Sequence, residues 1–136
     1  MLTKQNLLNM SALIVVEDNE LDWQIVYYQL KKYPVFDNVL HLDGGLPLIN
    51  YLKENLDEES YLPDAIFLDL SMPEFDGWDV LDVLQPMYPR LAKKIKVYIL
   101  SASIRPVDML RSKGYDFVSQ FISKPFTKEK LLSLAL

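Results

Sequence analysis

The sequence contains no cysteine and a single histidine, His41. Without thiols, disulfides and thiolate chemistry are excluded, and a reducing compartment is allowed. Basic residues are in the minority: 14 Lys and Arg stand against 19 Asp and Glu, for a net charge of −5. That balance argues against nucleic acid as a partner, because phosphate neutralisation needs a basic face. The densest basic group, Lys93 and Lys94 with Lys96, reads as a solvated junction between a helix and a strand. Long apolar runs are also missing. Residues 13–16 are too few for an export signal and are followed directly by Glu17 and Asp18, and no run reaches the length of a membrane span. A cytoplasmic location, with no membrane partner, is the default expectation.

What is present is a soluble, globular profile: 136 residues, half of them hydrophobic and a quarter charged, enough for one domain with one core. Residues 1–10 show no clean period and read as a short N-terminal lead, leaving residues 11–136 as the domain. From there apolar strands alternate with amphipathic helices. Residues 11–16 form a strand, and a helix with Leu21, Ile25 and Tyr28 on one face follows until Pro34 stops it. Residues 36–42 make a more polar strand, suited to an edge, and Pro47 opens a helix that turns Ile49, Leu52 and Leu56 inward.

Residues 65–68 are a continuous apolar run, the pattern of a strand buried on both faces, and deliver Asp69 at their C-terminal end. Asp76-Gly77 reads as a turn before a third helix carrying Val80, Leu81 and Leu84, which Pro86 and Pro89 end. Residues 95–100 form a strand, and Pro106 opens a fourth helix with Val107 and Leu110 inward; Met87 and Met109 read as helix packing. Residues 117–122 form the last strand, and Thr127 caps a final helix bearing Leu131 and Leu134. Five strands alternating with five helices at crossover spacing make an α/β fold, a doubly wound parallel sheet.

In such a sheet the strand C-termini open on one edge, so residues far apart in sequence become neighbours. Those residues here are Glu17 and Asp18, Asp69, Ser101 and Lys124. Three carboxylates in one crevice repel and raise one another's pKa unless a cation is present, and Mg²⁺ with its preference for hard oxygen donors answers that repulsion. A carboxylate beside Mg²⁺ and a lysine is equipped to attack phosphorus and form an aspartyl phosphate. His41, on a presumed edge strand away from this crevice, reads as structural, neither phosphodonor nor metal ligand.

Four separated motifs then stand in order: Val16-Glu17-Asp18, the stretch of residues 69–77, Ser101-Ala102, and Lys124-Pro125-Phe126. With these the chain resembles the receiver domain of two-component response regulators, of the stand-alone type, from about Ala12 to Leu136. The resemblance implies the flavodoxin-like receiver fold, with strand order 2-1-3-4-5. It implies that Asp69 accepts a phosphoryl group from a phosphohistidine on a sensor histidine kinase or histidine phosphotransfer protein. Asp18 would ligate Mg²⁺ directly, Glu17 mainly through water, and Ser71 through its backbone carbonyl. Lys124 would bind the phosphoryl group, Ser101 would move to hydrogen-bond it, and Phe121, three residues before Lys124, holds the place of the aromatic switch residue. The surface of the fourth helix, fifth strand and fifth helix would then change for a downstream protein that the sequence does not name.

The only chemistry implied is self-phosphorylation and slow self-dephosphorylation. Glu17 stands for the more usual Asp, Ser101 for the commoner Thr, and Phe121 for a Tyr whose hydroxyl is lost. Ser71 and Ser103 leave room for an attacking water, so the expected phosphorylated lifetime is not exceptionally long. Three other readings were open to this residue set. A haloacid-dehalogenase-like phosphatase wants a second acid where Ser71 stands, a flavin-binding protein would find its phosphate repelled by residues 17–20, and a pseudo-receiver interaction module would not need the acids and Lys124 intact. A piece of a larger hybrid kinase would carry the same motifs.

Overall fold

A computed structural model describes residues 11–134. The lead at residues 1–10 and the last two residues of the expected domain lie outside the described residues.

Among the described residues, five parallel strands form one sheet in the order β2-β1-β3-β4-β5. They are β1 (Ala12–Val16), β2 (Asn38–Leu42), β3 (Ala65–Asp69), β4 (Lys96–Ser101) and β5 (Val118–Ser123). The connecting helices are α1 (Glu20–Lys32), α2 (Gly45–Glu54), α3 (Gly77–Met87), α4 (Pro106–Ser112) and α5 (Lys128–Leu132). This is the doubly wound order expected. The central strands are buried on both faces: Leu13, Val15, Phe67, Tyr98 and Leu100 point to one side, and Ile14, Val16, Ile66, Leu68, Val97 and Ile99 to the other. That explains their near-continuous apolar runs. Outermost β2 leaves Val39 and Leu40 half-exposed, as its polar sequence foretold.

Several expectations about the helices are corrected. Pro86 does not end α3, which continues to Met87 and passes into a 3₁₀ turn, Tyr88–Arg90. A proline in the last turn forfeits one backbone bond, and the Tyr88 N–H still returns to the Leu84 carbonyl to close the helix. In α4, Val107 and Leu110 face solvent, at 62% and 70% exposure, while Asp108 and Ser112 turn inward. The inward polar groups are satisfied locally, Asp108 by Arg105 at 2.9 and 3.2 Å and Ser112 by donating to the Met109 carbonyl at 2.7 Å, so their burial leaves no unpaired polar atom. Met109 is exposed with that face rather than packed. The apolar residues Leu21, Ile25 and Tyr28 of α1 likewise line its exposed side; Val26 and Leu30 fill the core. Lys93 is no free junction lysine, since it pairs with Asp64 at 2.9 Å.

Thr127 caps α5 as expected, accepting from Lys130 N at 3.3 Å. Lys130 then folds back to give its ammonium to the Ser123 carbonyl (2.7 Å), the Ser123 hydroxyl (3.0 Å) and the Pro125 carbonyl (3.0 Å). The short final helix is thereby tied to the end of β5. Among the described residues no helix is long and apolar enough to cross a membrane.

Candidate functional site

Strand register assembles the site. Val16 of β1 is paired with Leu68 of β3, so the next residues, Glu17 and Asp69, emerge side by side at the C-terminal edge. Asp69 is paired with Leu100, which brings Ser101 next in line, and Ser101 is paired with Ser123, the residue before Lys124. A further backbone bond, Lys124 N to the Ser101 carbonyl at 2.8 Å, ties the lysine to the end of β4.

Carboxylate oxygens of Glu17, Asp18 and Asp69 all lie within 4.8 Å of one another. Glu17 and Asp69 are buried and Asp18 is exposed, so the cluster is closed beneath and open above. Asp18 is free for this task because the helix cap falls to its neighbour: Asn19 Oδ1 accepts from Asp22 N at 3.0 Å. Lys124 Nζ sits 3.2 Å from both Glu17 oxygens and 3.2 Å from Asp69 Oδ1. Ser71 donates its N–H to Asp69 Oδ1 at 3.2 Å, leaving its carbonyl unused by that contact.

Crowding of acids away from water has the expected electrostatic effect. Burial pushes the Glu17 carboxyl up to about 8, the Asp69 charge adds to the rise, and Lys124 offsets part of it. Burial raises Asp69 as well, against the lowering influence of Lys124. For Lys124 burial acts downward, but the Asp22 hydrogen bond and the charges of Asp69 and Glu17 outweigh it and hold the ammonium above the ordinary lysine value. The donor set is three hard carboxylates around a shared point, with one cation already at the rim. It fits a hard divalent ion such as Mg²⁺, whose charge would favour the ionised forms that burial disfavours.

Opposite the acids, Ser101 is buried with its hydroxyl donated to the Ser103 carbonyl at 2.8 Å and accepting from Ser103 N at 3.2 Å. It lines a crevice with Ser71, Met72, Asp76, Trp78 and Arg105. Phe121, half-buried on β5, borders a second groove with Met109 and Val118 between β5 and α4.

Four features escaped the reading of the sequence. Asp22, in the first turn of α1, accepts from Lys124 Nζ at 2.9 Å. Its signal was its place in the first turn of the helix that follows Glu17 and Asp18, which starts at the same sheet edge. His41 is structural but not remote: its Nε2 lies 2.8 Å from the Glu17 carbonyl and its ring stacks on Trp23 at 4.0 Å. Asp76 is not a mere turn residue but the cap of α3, in a reciprocal box with Asp79 at 2.9 Å each way. A Cβ on Gly77 would lie 2.6 Å from the Asp69 carbonyl oxygen, so only glycine lets α3 start this close to the site.

A family model described as "Response regulator receiver domain" matches residues 13–135. The chain belongs to this family. Response regulator Rcp1 of Synechocystis is 32% identical over 102 residues, which cover 74% of this chain and 68% of that protein. Histidine kinase 3 of Arabidopsis thaliana is 30% identical over 92 residues, 68% of this chain and only 8% of that protein. The chain spans 15% of a further relative, the sensory/regulatory protein RpfC of Xanthomonas campestris, at 28% identity over 120 residues. Among solved structures, a two-component response regulator from Cytophaga hutchinsonii superposes with a TM-score of 0.78 at 25% identity, covering 90% of this chain and 92% of that one. The phosphorylated cyanobacterial phytochrome response regulator RcpA does so with a TM-score of 0.71 at 29% identity, covering 90% and 86%. As a receiver, the domain is of the kind used in two-component signalling, and the fold read from its strand pattern is the fold of its relatives.

Proposed function

We propose that this receiver is a phosphorylation-dependent switch in which Asp69 takes a phosphoryl group from a phosphohistidine of a sensor histidine kinase or histidine phosphotransfer protein. The observation that carries the reading is the arrangement of Lys124 Nζ 3.2 Å from Asp69 Oδ1, beside an acid cluster that spans no more than 4.8 Å. An Asp69 oxygen forms the new O–P bond as the donor's N–P bond breaks, and the imidazole leaves with the nitrogen electron pair, to be protonated by solvent. Glu17, Asp18, Asp69 and the Ser71 carbonyl would hold Mg²⁺. Bound there, the ion supplies charge neutralisation for the phosphoryl oxygens. Lys124 binds one phosphoryl oxygen as a charge-assisted donor. Ser101 leaves the Ser103 carbonyl and turns its hydroxyl to another.

Withdrawal of Ser101 alters the loop that leads into α4, and Phe121 follows into the space beside β4. The face of α4, β5 and α5 thereby changes for a protein target, and the exposed Ile104, Val107 and Leu110 give it apolar surface to offer. Water later attacks phosphorus, the Asp69 O–P bond breaks, and inorganic phosphate leaves. This chemistry of acquisition and loss is the domain's own, with residues 11–136 as the unit and a cytoplasmic location in keeping with it. Two relatives accord with it by their descriptions: one structure of Rcp1 is of its Mn²⁺-bound form, and RcpA was captured phosphorylated.

Incubation with acetyl phosphate and Mg²⁺, followed by intact mass, tests the reading. Wild type gains one phosphoryl group and Asp69→Asn gains none; unmodified wild type under the same conditions would leave only an interaction module with a dead site.

A further inference from the structure

Lys124 is held by three acids, of which only two belong to the cluster. The third is Asp22, and its 2.9 Å contact is the shortest of the four carboxylate contacts to Nζ, the others being 3.2 Å. Asp22 is well anchored for such a task. Its N–H is bound by the Asn19 cap, and its neighbour Trp23 stacks on His41, which in turn grips the Glu17 backbone. The first turn of α1 is therefore braced against the site rather than swinging beside it.

An ammonium has three hydrogens to donate. Lys124 faces four oxygens from three acids, so it can take on a new anion only by giving one up. Glu17 and Asp69 belong to the set that draws in a cation. Asp22 is outside that set, and its side chain is 35% exposed while that of Lys124 is only 13% exposed.

We propose that Asp22 is a positioning residue that competes with the phosphoryl group for Lys124, holding the ammonium toward α1 and limiting how tightly the site binds a phosphoryl group on Asp69. This rests on Asp69 being the phosphoacceptor. It gives α1 a part in the switch: as Lys124 turns to the phosphoryl group, the helix loses a contact beside Trp23.

The test is beryllofluoride binding in saturating Mg²⁺, followed by fluorine NMR. Asp22→Asn removes the competing charge while keeping the shape, and should tighten binding by roughly twofold to fivefold, the range expected of one partly exposed ion pair. Asp22→Glu restores the charge and should bind within about twofold of wild type. Glu20→Gln, two residues earlier in α1, bonds Gln24 rather than Lys124 and serves as the control for bulk charge. Unchanged or weaker binding by Asp22→Asn overturns the proposal, and so does equal tightening by Glu20→Gln. Wild type that binds no beryllofluoride at Asp69 overturns the phosphoacceptor reading and this inference together; wild-type binding that ignores Asp22 overturns this inference alone. Circular dichroism melting of each variant separates these outcomes from a failure to fold.

Discussion

Gly77, the first residue of α3, packs against the backbone at the end of β3. A methyl group there would meet the Asp69 carbonyl oxygen at 2.6 Å and Leu70 Cα at 2.8 Å, and neither can step aside, because both are backbone in the loop that presents the acid. Gly77→Ala should therefore cost about 1 to 3 kcal/mol, the range for forcing an extra methyl into a packed site. Because the strain falls on the residue after Asp69, the variant should also bind Mg²⁺ more weakly, measured by quenching of Trp fluorescence. An alanine variant with wild-type urea midpoint and metal affinity would show that α3 can slide outward at no cost. Gly45 faces a similar squeeze, 2.6 Å from Val80 Cγ2, 2.8 Å from Phe75 Cδ1 and 3.2 Å from the Phe75 carbonyl oxygen.

At the scale of elements, Lys130 ties α5 to the end of β5. Its ammonium serves three acceptors at the end of β5 and in the loop after Lys124, and Leu131 is buried one residue further on. Lys130→Met keeps the stem and removes the donors, and should lower stability by about 1 kcal/mol, the net worth of partly exposed hydrogen bonds rather than their sum. Hydrogen exchange is the more specific readout: amides of α5 should lose protection while those of β1 and β3 do not. Uniform loss across the sheet would mean that Lys130 supports the whole fold.

The helices also show what could and could not be read from residue order. Strands β1, β3 and β4 were legible because a strand covered on both faces reads as a near-continuous apolar run. Which way α1 and α4 face was not, because both carry apolar residues on the side that meets water. In α4 the inward positions are Asp108 and Ser112, whose burial depends on Arg105 and on a backbone carbonyl, partners that periodicity does not reveal. The acids and Lys124 were legible for a different reason, since topology alone brings strand ends together. Asp22 was not, because a first-turn acid reads equally well as an ordinary partner of the helix dipole.

For the molecule as a whole, the acid cluster is a cost that a cation relieves, and pH should expose it. The unfolded chain gives up the Glu17 proton near the ordinary value of 4.5, whereas the folded chain holds it to about 8. Between those values the folded state binds more protons, so its stability is fully present below the lower value and declines as pH rises to the upper. Asp69, also raised, acts in the same direction. Lys124 is raised too, but its contribution is lost only above the ordinary lysine range, outside this window. The slope for one such group is at most about 1.4 kcal/mol per pH unit, and the total is on the order of a few kcal/mol. Ionised Glu17 is the form that Mg²⁺ favours, so saturating metal should remove the decline and make metal binding release a proton below about pH 8. Urea unfolding from about pH 5 to pH 9, in EDTA and in Mg²⁺, measures this directly. The gap between the two curves should widen with pH and level off near the upper value. Parallel curves would mean that Glu17 is already ionised in the metal-free fold, and that Lys124 alone compensates the buried acids.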